Sequence, residues 1–291
     1  MTLSAFLKEV LLDTLIDFAK LLPFLFLTYL LMEWLEHRAS GKMEASIRRA
    51  GKVGPLFGGF LGIVPQCGFS AAASGLYAGR VISLGTLIAV YLSTSDEMLP
   101  IMIAEKAPAL LIVKLLATKL LLGIFFGFLV DILFRLVHKK EEDHPIHELC
   151  EHDGCHCEEG ILRSALHHTV HISLFLLLVL FLLKTGIFFL GEDRLAAAFN
   201  NIPVLGHLLS ALVGLIPNCV SSVLITKLYL EGVLSAGCML SGLLVGTGVG
   251  ILVLFRANRS KKEAFFILLL LFGIGALSGM LLDLLGIGAI L

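Results

Sequence analysis

The stretch GIVPQCGFSAAASGLYAGRVISLG, residues 62–85, lies in an apolar chain yet carries a proline, an amide and a thiol in direct succession. A proline removes a backbone donor and frees the carbonyl of the preceding turn, so it needs a reason inside a hydrophobic helix. Sliding the sequence against itself by 152 positions lays this stretch over GLIPNCVSSVLITKLYLEGVLSAG, residues 214–237. Gly62, Pro65, Cys67, Ser70, Leu76, Tyr77, Val81, Ser83 and Gly85 then meet identical residues. Without a gap, the same offset carries GIFFGFLVD (123–131) onto GALSGMLLD (275–283), pairing Gly123, Gly127 and Asp131 with Gly275, Gly279 and Asp283. Two separate matches at one offset predict two homologous halves, 1–137 and 161–291, joined by a linker at 138–160.

Composition sets the solvent of these halves. Hydrophobic residues make up 57% of the 291 and charged residues only 15%, with a mean hydropathy of +0.95. A soluble domain has about 45–50% apolar residues, so the chain reads as an all-helical polytopic membrane protein with no soluble domain. Crossing a hydrocarbon core of about 30 Å takes about 20 residues. Runs of that length fall at 9–34, 81–103, 109–137, 161–190, 233–255 and 263–290. The first run carries Asp13, Asp17 and Lys20 and lacks a small-residue cleavage site, so it is expected to be a retained helix and not a signal peptide. A net charge of −1 gives no reason to expect a nucleic-acid partner. Three cysteines cluster in the linker and three stand singly in apolar sequence, which is not the pattern of a disulfide-stapled secreted scaffold.

Charge gives the relative direction of the halves, because cytoplasmic loops collect Lys and Arg. Loop 35–53 carries Arg38, Lys42, Arg48, Arg49 and Lys52, whereas its counterpart 191–203 has only Arg194. Farther on the bias reverses: 104–109 has only Lys106, but its counterpart RANRSKK (256–262) has four basic residues. Equivalent loops on opposite sides predict an inverted-topology repeat, with the substrate site between the halves near the midplane. Residues 54–103 must then cross an odd number of times, which a re-entrant hairpin at 54–79 followed by one span satisfies. Each arm of about 13 residues reaches about 20 Å, past the midplane but not through. The second half repeats the device at 204–231. Each half thus has five segments, with both termini outside and the linker in the cytoplasm.

The hairpin tips are the first candidate site. Pro65 and Pro217 open the backbone there, and Gln66, Cys67, Asn218 and Cys219 follow directly. Irregular backbone in a membrane is tolerated where it is buried in protein or lines a cavity. YLSTSDEMLP (91–100) is the second, because Asp96 and Glu97 stand in an apolar span, with Ser93 and Ser95 beside them. A central acid costs about 2.5–3.5 kcal/mol to insert, which binding of a cation or proton would offset. The alternative is a span that unwinds near Pro100 and leaves the acids at the outer interface. The equivalents in the second half are Gly248 and Val249, so the acids break the symmetry.

In the first helix of each half, Asp13 and Asp17, and His167 and His171, are one turn apart and share a face, with His168 beside the second pair. Such groups can ligate Mn, Fe or Zn or relay protons, or snorkel toward water at a helix end. The glycines before Asp131 and Asp283 point to close helix contacts, and the aspartates to helix-end solvation or more. The linker packs His138, His144, His147, Cys150, His152, Cys155, His156 and Cys157 among acids. That composition is metal-binding, without a strict zinc-finger spacing, so the linker is either a metal-capture loop or a solvated connection.

Together PQCGFSAAASGLYAGR, YLSTSDEMLP and IPNCVSSVLIT resemble the ten-helix heavy-metal exporter family related to the arsenic-efflux permeases of the ArsP type, often described as manganese transporters. The resemblance covers nearly the whole chain and implies a bacterial inner-membrane efflux permease. No GxxxxGK[ST] loop is present, so transport would run on an ion gradient or borrow a partner. Nor does any HExxH or GxSxG suggest an intramembrane enzyme. Oxygen and nitrogen donors outnumber thiols in the candidate sites, which favours a divalent metal such as manganese over arsenite. A permease for an organoarsenical or organic anion and a passive channel remain the competing readings. The expected partners are the bilayer and a metal ion or small-molecule substrate, with no cofactor beyond a transported metal; no motif specifies an oligomer.

Overall fold

In the computed structural model, the described residues are 53–64, 67–95, 98–137, 203–217 and 219–286, together with scattered helical positions between 12 and 30 and between 162 and 185. Among the described residues there is no strand. Ten helices have defined bounds. In the first half they are α1 (Gly54–Gly62), α2 (Cys67–Ala78), α3 (Leu84–Ser93), α4 (Met98–Ala104) and α5 (Ala109–Val137). In the second they are α6 (Pro203–Gly214), α7 (Cys219–Leu230), α8 (Ala236–Val245), α9 (Gly250–Ala257) and α10 (Lys261–Leu284). The starts of α2, α3, α4 and α5 recur 152 residues later as the starts of α7, α8, α9 and α10.

Among the described residues, four stretches are long and apolar enough to cross a membrane: Leu84–Ala104, Ala109–Leu136, Ala236–Ala257 and Lys261–Leu284. Their burial separates two roles. The most apolar windows of the first and third are 69% and 89% buried in protein, against 17% and 39% for the second and fourth. The α3–α4 and α8–α9 spans are therefore central, while α5 and α10 face lipid with Leu121, Phe125, Leu269 and Leu277 exposed. The chain is a multi-pass helical membrane protein. At 12 residues or fewer, α1, α2, α6 and α7 reach about 18 Å at most and cannot cross alone.

Packing within each half follows the same plan. α1 lies on α3 and α5, and α6 lies on α8 and α10. Glycine makes the tightest of these contacts, because a β-carbon on Gly85 would lie 2.1 Å from the Gly127 carbonyl oxygen. One on Gly237 would lie 2.4 Å from that of Gly279. The second arm of each expected hairpin also reaches the other half: α2 packs chiefly on α9, and α7 divides its contacts between α8 of its own half and α4 of the other. Two mixed cores result, one joining Ala73, Leu87 and Tyr91 to Leu254 and Ile267, the other joining Ile225, Met239 and Leu243 to Met102 and Leu115. Each residue of the second set stands 152 positions from one of the first. The halves are interlocked through equivalent helices.

Ser83 and Ser235 cap α3 and α8, accepting from the backbone N–H groups of Thr86 and Cys238 at 3.1 Å. A hydroxyl at this position satisfies one of the orphan donors of a first turn. Asp131 reinforces the first cap from α5, accepting the Ser83 hydroxyl and the Gly85 N–H, both at 2.8 Å. Asp283 does the same from α10, accepting the Ser235 hydroxyl and, at 2.9 Å, the Gly237 N–H. A carboxylate at a helix N-terminus also meets the positive end of the dipole. The two aspartates are thus structural fasteners between neighbouring helices.

Candidate functional site

Both central spans are interrupted at equivalent places. α3 ends at Ser93 and α4 begins at Met98; α8 ends at Val245 and α9 begins at Gly250. The first break precedes Pro100, which sits in the opening turn of α4, where a missing N–H costs no intrahelical bond. In the second break Gly248 has φ +53°, a left-handed conformation suited to glycine, at the position equivalent to Asp96.

The break in the first half touches the first tip. The Ser95 hydroxyl donates to the Ile63 carbonyl at 2.6 Å, two residues before Pro65. Ser93 is fully buried, and its hydroxyl has no hydrogen-bond partner among the described residues. Pro217 is partly buried after the end of α6. Cys67 and Cys219 open α2 and α7, but their side chains lie outside the described residues, as do Pro65, Gln66, Asp96, Glu97 and Asn218. So do Asp13, Asp17, His168, His171 and the linker donors His138, His144, His147, Cys150, His152, Cys155, His156 and Cys157. His167 is exposed on its helix.

Around the breaks, polar groups join the halves. Ser74 on α2 lies 2.6 Å from the Tyr91 hydroxyl and 2.7 Å from the Gly250 carbonyl, the first residue of α9. A β-carbon on Gly250 would come within 3.0 Å of the Ser70 carbonyl oxygen, so glycine permits this approach. Lys119, 1% exposed on α5, donates from Nζ to the Leu243 carbonyl of α8 at 2.6 Å. Sequence reasoning passed over this lysine, although a cation amid LLATKLLLG was signal enough.

Two places equivalent across the 152-residue offset differ. At one, Arg80 grips Glu263 with both guanidinium nitrogens at 2.8 and 3.0 Å. The Tyr77 hydroxyl also donates to Glu263, and the Asn258 amide does so at 3.2 Å. Hydrogen bonding by Glu263 raises the Arg80 pKa above its ordinary value, against the opposing effect of burial. At the other the equivalents are Gly232 and Leu111, and a cavity of about 610 Å³ opens there, bordered also by Tyr229, Ser235 and Asp283. Beside it, His207 Nε2 stands 3.1 Å from Asp283 Oδ2, with buried Cys238 close by.

A chain of interlocked apolar helices, interrupted in its central spans and bordered by charged groups, defines a polytopic helical membrane protein. Residues 4–187, more than half of the chain, match the family described as "Putative, 10TM heavy-metal exporter", and the chain belongs to that family. Neither the curated proteins nor the solved structures yield a match.

Proposed function

We propose that the protein is a secondary-active exporter of a divalent heavy-metal cation such as Mn²⁺, working by alternating access between two inverted halves and exchanging the metal for protons. The observation that carries this reading is the pair of interrupted spans, each packed against a short helix of the opposite half. Discontinuous helices at the interface of repeats are where secondary transporters place substrate and coupling ions. The Ser95 to Ile63 bond draws the first break and the first tip together, which supports a site built from Gln66, Cys67, Asp96, Glu97, Asn218 and Cys219 with Ser93 and Ser95.

In this reading α1–α2 and α6–α7 are re-entrant arms entering from opposite faces, the linker and the Arg80–Glu263 pair are cytoplasmic, and both termini lie outside. The ion pair closes the inner face while the cavity beside Asp283 opens outward. Metal would exchange hydration for carboxylate, amide and carbonyl oxygens at the breaks, and protonation of Asp96 and Glu97 would release it. Asp13, Asp17, His167 and His171 are the candidate proton relay, and the His/Cys linker is the candidate capture loop.

Uptake of Mn²⁺, Zn²⁺ and arsenite into inverted membrane vesicles tests the cargo. Saturable Mn²⁺ or Zn²⁺ uptake, lost in Asp96→Asn/Glu97→Gln, is expected. Uptake equal to that of empty vesicles, or undiminished in the double variant, contradicts the reading. Arsenite uptake that survives loss of the acids but fails with Cys67→Ser/Cys219→Ser would identify an arsenical permease instead.

A further inference from the structure

Across the offset of 152, His207, Cys238 and Asp283 correspond to Pro55, Thr86 and Asp131. The backbone plan around the two triplets is shared: a serine cap, an aspartate fastening it, and a Gly–Gly contact beneath. The first half builds that plan without an imidazole or a thiol. His207 and Cys238 are therefore not required by the fold, yet both are buried, and their ligand atoms lie close to the Asp283 carboxylate.

We infer that His207, Cys238 and Asp283 form a binding site for a borderline divalent cation of the Zn²⁺ or Co²⁺ kind, at the start of α8 and distinct from the breaks in the central spans. One ligand atom from each residue lies within 4.8 Å of the other two, and the imidazole and carboxylate atoms are already 3.1 Å apart. A tetrahedral zinc with bonds of about 2.0–2.3 Å needs ligand atoms about 3.3–3.8 Å apart, so side-chain rotations of about 1 Å complete the set. Nitrogen, thiolate and carboxylate together suit Zn²⁺ or Co²⁺ better than Mn²⁺.

The surroundings fit three protein ligands and one open position. The Gly237 N–H holds Asp283 Oδ1 at 2.9 Å and the Ser235 hydroxyl donates to Oδ2, orienting the carboxylate as outer partners of metal ligands do. Asp283 and Ser235 border the 610 Å³ cavity, which provides an entry path and room for a fourth ligand. Binding would expel the Cys238 thiol proton to solvent. The site stands whether or not the protein transports metal.

The test is equilibrium binding to the full-length protein in detergent, with every other thiol removed by Cys67→Ser/Cys150→Ser/Cys155→Ser/Cys157→Ser/Cys219→Ser, so that Cys238 is the last one left. Zn²⁺ is titrated by competition, and Co²⁺ is followed by thiolate-to-cobalt charge-transfer absorption. His207→Ala and Cys238→Thr are the informative variants, since the first half folds with Pro55 and Thr86 at these positions. Each is expected to lose the cobalt–thiolate band and to weaken one Zn²⁺ equivalent by at least about tenfold. Asp131→Asn should leave both readouts unchanged. Retention of the band and of Zn²⁺ affinity in either ligand variant overturns the site.

Discussion

Arg80 and Glu263 form a two-pronged ion pair between the end of α2 in one half and the start of α10 in the other, at 2.8 and 3.0 Å. Arg80 reaches it from a left-handed backbone, φ +56°, where the equivalent Gly232 has φ +74°. An L-residue there costs about 1–2 kcal/mol, which glycine avoids. The arginine is thus held in a strained place by a contact that only it can make.

The pair should matter to the transport cycle more than to folding. Arg80 is 46% exposed at its side chain, and exposed ion pairs contribute about 0–1 kcal/mol. Arg80→Gln and Glu263→Gln are expected to shift the melting temperature little while changing the transport rate severalfold. The exchange Arg80→Glu/Glu263→Arg should restore part of the rate. Additive rate losses in the exchanged double variant would show that the contact is not a gate.

Close glycine contacts should be the stiffest points of the fold. Gly85→Ala or Gly237→Ala drives a methyl into a carbonyl oxygen of the facing helix and should destabilise the protein by about 1–3 kcal/mol. Gly273 on α10 has nothing within 4 Å of its β-position. Gly273→Ala should be neutral or stabilising by up to about 1 kcal/mol, through helix propensity. Thermal denaturation in detergent separates the two cases.

Removing Asp131 should fray the start of α3. Asp131→Ala leaves the Ser83 hydroxyl and the Gly85 N–H without their shared acceptor, at a cost of about 1–2 kcal/mol. Backbone hydrogen exchange at residues 84–87 should accelerate, and that at α8 should not.

Lys119→Leu should uncouple stability from function. Leu271 occupies the equivalent position in the second half, and replacing a buried cation by a hydrocarbon is often neutral or stabilising. The variant is expected to melt no lower than the parent, yet to transport poorly, because α5 loses its hold on the Leu243 carbonyl beside the second break. Full transport would make the lysine a structural tie only.

Much of the architecture was legible because membrane helices announce themselves locally. Apolar runs marked the spans, and the GxxxG spacing of GIFFGFLVD and GALSGMLLD before Asp131 and Asp283 pointed to the close contacts that Gly85–Gly127 and Gly237–Gly279 make. The contacts that α2 makes with α9 and α7 with α4 across the halves were not legible, because side-chain pattern does not say which apolar face meets which. The same holds for the grouping of His207, Cys238 and Asp283, separated by 31 and 45 residues in sequence. Their signal was a departure from symmetry: both His207 and Cys238 replace residues without their chemistry in the first half. Asp96 and Glu97 gave the same kind of signal at the first break. Lys119 carried the signal of a cation in an apolar span but shared it with Lys114 and Arg135 on α5, and only packing shows which of them is fully buried.

The most direct measurement is metal flux through purified protein in proteoliposomes under an imposed proton gradient. Alternating access with proton exchange predicts saturable Mn²⁺ or Zn²⁺ accumulation above its equilibrium level, driven by the pH difference and reversed when that difference is reversed. Flux that only runs down the metal's own gradient, without saturation and indifferent to pH, would contradict the account and mark the protein as a channel.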